Sequence, residues 1–219
     1  MAKNFWRCPQ FQNRKQIGDL EKRMGLLKQK NKSVLFSFAG CRGGEGVSTI
    51  LMNLASYLAS AEGEVKVLLV DANFTNPVLH EALDKGLGNG LSDILKGSSS
   101  WSDAVSSTDF ENLHFLSCGG SYQQLEGSRD QGRLRSVMAE IKGMYDYVLI
   151  DSPALLTSGD ALTVSVASDV TFLVVQSLST PKEVAARARS MLDDNECDIG
   201  GVLLNRVKQV IPGWMYKLL

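Results

Sequence analysis

The stretch "FAGCRGGEGVSTI", Phe38 to Ile50, decides how the rest of the chain is read. It joins the end of an apolar run, "SVLFSFAG", to a glycine turn and then to residues of helical spacing. Strand, glycine turn and helix in that order match a phosphate-binding loop, G-x-x-x-x-G-K-[ST]. Gly43, Gly44 and Gly46 let backbone N–H groups turn toward an anion, and the following helix presents its positive end to the same place. Ser48 falls where such a loop holds Mg²⁺, and Thr49 where it meets a phosphate oxygen. Val47 occupies the place of the lysine that neutralises the β- and γ-phosphates. Arg42 could bring charge from within the loop, although an exposed loop arginine needs no such role.

Reading outward, Ile50, Leu51, Leu54, Tyr57 and Leu58 mark one face of a helix that opens at Ser48 and Thr49. "KVLLVDA" is a short apolar strand ending at Asp71, and "YDYVLIDSP" is another ending at Asp151. "NLHFLSCGG", "DVTFLVVQS" and "IGGVLLNRV" complete the strands, with helices through about Lys142 and over 181–194. Continuous apolar strands alternating with helices indicate a doubly wound α/β domain, its mostly parallel sheet covered by helices on both faces. Ligands of such sheets sit beyond the carboxyl ends of the strands. The glycine loop, Asp71 and Asp151 all fall there. A strand-end aspartate beside a P-loop commonly holds magnesium, whereas the bland role for Asp151 is to cap the helix after Pro153.

The chain of 219 residues carries a net charge of −1 that hides an asymmetry. Residues 1–32 hold nine Lys/Arg against Asp19 and Glu21, a net of +7 that leaves −8 on the remainder. A basic arm of this kind suits acidic lipid or nucleic acid, or is simply solvated. Ile17, Leu20, Met24 and Leu27 form one stripe of a short amphipathic helix within it, which requires the domain or a partner to pack against. No apolar run approaches the roughly 18 residues of a membrane span, and the N-terminus lacks the apolar core of a secretion signal. Four cysteines without paired spacing and two histidines fit a reduced, cytoplasmic protein without a metal cluster. The expected organisation is a basic leader with its helix (1–32), a P-loop NTPase-like domain (33–208) and an apolar tail (209–219). The tail, "VIPGWMYKLL", is expected to meet a membrane surface or membrane partner, the alternative being that it packs back on the domain.

These motifs together resemble the bacterial tyrosine kinases of capsule and exopolysaccharide synthesis, relatives of the MinD/ParA-type ATPases, over roughly residues 17–206. "GGEGVSTILMNLA" is similar to that family's P-G-E-G-K-S-T loop and helix, and "VLLVDANFTNPVLH" to its V-L-L-I-D-x-D-x-R-x-P-x-x-H motif. "GLSDIL", "YDYVLIDSPALL", "SDVTFLVVQSLST" and "GVLLNRV" resemble its later signatures. The resemblance implies ATP/ADP with Mg²⁺ as cofactors and Ser48, Asp71 and Asp151 as the metal-holding set. It implies catalytic places at Asp71, Asn73 and Asp151, and a base contact from Asn205.

The departures are specific. Val47 stands for the loop lysine, Asn73 for the second aspartate of D-x-D, and Thr75 for the arginine of that motif. Tyr216 is the one tyrosine of the tail, where these kinases carry a cluster. The expectation is therefore a degenerate kinase-like protein, peripheral at the inner membrane. It would act through a membrane chain-length (co-polymerase) partner, with homo-oligomerisation open and nucleic acid not expected. An active tyrosine autokinase and a MinD/ParA-type switch binding membrane or DNA are the alternatives.

Overall fold

A computed structural model of the chain describes residues 14–28, 34–61, 65–120 and 131–207. The start of the basic leader, the polar stretch 121–130 and the tail 209–219 lie outside the described residues.

Three strands, β1 (Val34–Gly40), β2 (Val67–Asp71) and β5 (Tyr147–Asp151), are buried at every position, as their unbroken apolar runs require. β3 (Val105–Ser107), β4 (Leu113–Leu116), β6 (Val170–Gln176) and β7 (Ile199–Asn205) complete one seven-stranded sheet, ordered β3-β4-β2-β5-β1-β6-β7. All neighbours pair in parallel except β3, which runs antiparallel to β4 at one edge. Sequence patterning misses β3 because "VSS" offers neither an apolar run nor alternation, and its pairing with a single neighbour is supplied by the turn that follows. The same region holds short helices that were not anticipated, α3 (Leu79–Ala82), α4 (Leu91–Lys96) and α5 (Trp101–Ala104).

Burial on both faces is visible in the alternation along β1. Phe36 and Phe38 face α2 (Val47–Ala59), whose Leu51, Leu54 and Leu58 complete that side of the core. Phe38 stacks on Phe172 of β6 with ring centres 5.1 Å apart. Leu35 points the other way, into a cluster closed by Leu134, Val137 and Met138 of α6 (Gln131–Ile141) and Val164 of α7 (Gly159–Ala167). A third cluster lies under α8 (Lys182–Asp193), where Ala188 and Leu192 cover Leu173 and Val175 of β6.

The stripe in the leader forms α1 (Arg14–Lys28). Leu20 and Met24 enter the same core as α2, and Ile17 and Leu27 pack at its border. Arg23 donates to the Gly200 carbonyl, and Lys28 pairs with Asp146 at 3.1 Å while lying over the Tyr147 ring. The amphipathic helix thus finds its partner in the domain itself. No described helix is long and apolar enough to cross a membrane.

Candidate functional site

β1 ends at Gly40, and the turn that follows re-enters helix at Val47. Gly46 takes a left-handed conformation, φ 89°, and a Cβ there would stand 2.3 Å from the Asn205 amide nitrogen. Only glycine fits both demands. With glycine as the N-cap, no side chain caps α2. The first-turn amides of a 13-residue helix are thereby left without a side-chain partner at the mouth of a cavity of about 290 Å³.

Ser48 and Asp151 meet there, with the Ser48 hydroxyl donating to Asp151 Oδ2 at 2.5 Å. Asp151 is fully buried, and its second oxygen, Oδ1, accepts no hydrogen bond. The hydroxyl of the adjacent, buried Ser152 is also without a partner. Asp71 pairs in register with Asp151 on the neighbouring strand. Its oxygens accept from the backbone N–H of Asn73 (3.1 Å) and of Leu79 (3.3 Å), which fixes the chain after β2. Burial raises the Asp151 carboxyl well above the usual carboxylate range, and the charge of Asp71 adds to that, while the Ser48 hydrogen bond opposes it. Burial also raises Asp71, against the backbone N–H groups of Asn73, Leu79 and Val78.

A buried carboxylate oxygen with nothing to accept, a serine hydroxyl on its other oxygen and a second carboxylate in register form an all-oxygen donor set. Such a set fits a small hard cation such as Mg²⁺, with Ser48 and Asp151 nearest the loop and Asp71 behind them. Bound there, the ion would neutralise phosphate charge.

The remaining expected site residues gather around the same cavity. Arg42, Gly43, Gly44, Val47, Thr49, Asn73 and Thr75 line it, as does Arg206, which the sequence did not single out. Val47 is half-buried and packs partly on the α2 side of the core. Asn73 Oδ1 accepts the Asn76 N–H at 3.1 Å, so its side chain closes a turn at the cavity wall. Asn205 donates to the Glu45 carbonyl at 2.8 Å, and its own carbonyl accepts the Arg206 N–H, which places the side chain against the glycine loop.

Glu45 was not anticipated. It is 3% exposed although it sits in a loop between glycines. Its Oε2 accepts the N–H groups of Cys41 (2.5 Å) and Arg42 (3.1 Å), and its Oε1 accepts the Thr180 hydroxyl from the turn after β6. The carboxylate therefore ties the loop to its own base and to a neighbouring segment. The loop motif that the chain resembles, P-G-E-G-K-S-T, carries a glutamate at this place, but a glutamate among glycines ordinarily faces water, so its burial was not read from it.

A mostly parallel sheet with a glycine loop after the interior strand β1, an uncapped helix and paired strand-end aspartates defines a P-loop NTPase of the MinD/ParA type. The chain belongs to the family described as cellulose biosynthesis protein BcsQ, whose model matches residues 33–200, and it shares with the bacterial tyrosine-protein kinases most of its length. It is 32% identical over 177 residues to the tyrosine-protein kinase YwqD of Bacillus subtilis (strain 168), covering 81% of this chain and 73% of that one. The kinase domain of the Escherichia coli tyrosine kinase ETK superposes with a TM-score of 0.77 over 90% of this chain and 78% of its own, at 18% identity, a likeness of fold. The septum site-determining protein MinD of Pyrococcus horikoshii OT3, solved with Mg-ADP, gives a TM-score of 0.68 at 27% identity, covering 84% of this chain and 76% of that one.

Proposed function

We propose that this chain is a tyrosine-kinase-like P-loop protein of exopolysaccharide or capsule assembly that has kept the nucleotide scaffold and lost most of its catalytic power. The observation that carries the reading is the composition of the cavity wall. Ser48, Asp151, Val47 and Asn73 all line it, with Ser48 bonded to Asp151, and the resemblance to the kinase motifs implies a lysine where Val47 stands and an aspartate where Asn73 stands. A magnesium nucleotide brings roughly four negative charges, and phosphoryl transfer depends on positioning and electrostatics. Without the lysine, ATP or ADP with Mg²⁺ binds weakly. Without a carboxylate at 73, no side chain there takes a proton from an attacking hydroxyl.

Such a protein would act by docking, at the inner membrane, on a membrane chain-length partner or on an active homologue, as the resemblance implies. The role assigned to Asn205, a contact to the base, requires that its hydrogen bond to Glu45 open or be shared on binding. The deciding experiment is ATP binding and turnover by the purified chain, alone and with its membrane partner. Weak binding with turnover near background agrees with the proposal, and brisk turnover overturns it.

A second reading, an active autokinase, is favoured by one observation. Arg42 and Arg206 both line the cavity, and two guanidinium groups could replace one ammonium. Under that reading, Arg42→Ala or Arg206→Ala abolishes turnover.

A further inference from the structure

Four buried polar side-chain atoms lack a hydrogen-bond partner among the described residues: Nδ1 of His80, Nδ1 of His114, Oδ1 of Asp151 and Oγ of Ser152. The two oxygens belong to consecutive residues, and both residues line the cavity at the glycine loop. Folded proteins pair nearly all such groups, so two neighbouring orphans at one cavity call for a common explanation.

Ser152 is 2% exposed, and its N–H donates to the Phe38 carbonyl of β1 at 3.1 Å, which fixes its backbone behind the cavity. Other hydroxyls around the same cavity are satisfied by the protein. Ser48 donates to Asp151 Oδ2, Thr75 to the Ser158 hydroxyl and Thr157 to the Ala154 carbonyl. The Ser152 hydroxyl differs from these in being both buried and unmatched. It can accept and donate, whereas the free oxygen of Asp151 beside it can only accept. Mg²⁺ gives up its waters reluctantly and usually keeps several, and the protons of those waters need acceptors.

Resting on the nucleotide reading above, we infer that Ser152 is a positioning residue of the metal site, its hydroxyl hydrogen-bonding a water that Mg²⁺ keeps beside Asp151. The residue then acts with opposite sign in two states. In the metal-free fold its unmatched hydroxyl lowers stability, as a buried group without a partner does. With Mg²⁺ and nucleotide bound, the same hydroxyl is satisfied and adds to affinity. A residue that only fills space would not show this reversal.

The test compares the parent chain with Ser152→Ala and Ser152→Cys. Each is melted without nucleotide and titrated with a fluorescent ADP analogue, once in Mg²⁺ and once in EDTA. Ser152→Ala is expected to melt about 3 °C higher than the parent. Its affinity for the analogue should fall about tenfold in Mg²⁺ and stay unchanged in EDTA. Ser152→Cys is close to serine in volume but has only a weak S–H donor, so in Mg²⁺ it should follow the alanine variant. A lower melting temperature for Ser152→Ala would mean that the hydroxyl already has its partner in the metal-free fold, and overturns the proposal. Unchanged affinity in Mg²⁺ overturns it as well. An equal loss in EDTA assigns the hydroxyl to phosphate, and full affinity in the cysteine variant assigns the residue to packing; either result overturns it too. All four outcomes presuppose a parent chain that binds the analogue. A parent that binds it in neither buffer overturns the nucleotide reading itself, and this assignment with it.

Discussion

Ser48 and Asp151 are joined across the carboxyl end of the sheet by a 2.5 Å hydrogen bond that uses one carboxylate oxygen and leaves the other buried without a partner. The free oxygen makes the pair sensitive to both protons and metal. Asp151 and Asp71 have raised pKa values in the fold, so the folded state holds protons that the unfolded chain releases. A raised carboxyl contributes stability that is fully present below its unfolded pKa and is lost as pH rises through the folded pKa. The metal-free protein should therefore lose stability between about pH 4 and neutrality at this pair. Mg²⁺ should restore it at pH 7.5 and have little effect at pH 5, by about 1.4 kcal/mol when its concentration is ~10 times its Kd. Thermal melts with and without Mg²⁺ at the two pH values measure this. In Asp151→Asn the Mg²⁺ effect should vanish and the pH slope should flatten.

Glu45 separates the loop's shape from its charge. Glu45→Ala leaves the Cys41 and Arg42 N–H groups and the Thr180 hydroxyl without their acceptor, and should cost about 2–3 kcal/mol. Glu45→Gln can accept both N–H groups through its carbonyl and donate to Thr180 through its amide. It should unfold within about 1 kcal/mol of the parent. Because it also removes a negative charge beside the phosphate cavity, its ATP affinity should rise. Denaturant titration gives the stabilities, and calorimetry with Mg-ATP the affinities. If the glutamine variant bound less ATP, the loop's shape would depend on the carboxylate itself.

The contrast between Glu45 and the aspartates explains what the sequence revealed. Asp71 and Asp151 were legible because each ends an unbroken apolar run, and a strand that is buried along its whole length places its last residue at the carboxyl end of the sheet, where ligands sit. The loop and the start of α2 were legible from glycine spacing. Glu45 was hidden because its burial depends on two amides that only the folded loop turns inward. Asn205 was found through resemblance, but its hydrogen bond to Glu45 depends on where β7 ends relative to a loop two strands away. Neither β3 nor the short helices α3–α5 carry a period long enough to read.

The α1 helix offers a test of whether the leader's stripe belongs to the fold. Met24 is fully buried against the α2 side of the core, and Leu26 two residues later is 61% exposed. Met24→Ala should destabilise by about 2–5 kcal/mol, as large-to-small core substitutions do. Leu26→Ala should stay within about 0.5 kcal/mol. Urea unfolding of both variants decides. Equal, small effects would mean that α1 docks too weakly to share the domain's cooperative unfolding.

Val47 and Asn73 divide binding from catalysis. Val47 is the first residue of α2, half-buried at the cavity wall, where a longer side chain can run out along the cavity instead of into the core. Val47→Lys should fold and should tighten ATP binding about tenfold, or 1.4 kcal/mol, since an ammonium there meets phosphate charge before and during reaction. Turnover should remain near background, because the amide of Asn73 has no basic oxygen for a proton. Asn73→Asp should also be tolerated, since an aspartate oxygen can take over the Asn76 N–H and leave the second oxygen facing the cavity. Alone it should do little, because on the proposed reading the nucleotide it would serve is weakly held. Together the two substitutions should give measurable hydrolysis or tyrosine phosphorylation well above the product of their separate effects, as groups that act as a unit do. Radiolabelled ATP turnover in the four combinations measures this. Rapid turnover by the unsubstituted chain would move the phosphate charge to Arg42 or Arg206, and Arg42→Ala and Arg206→Ala would then identify which.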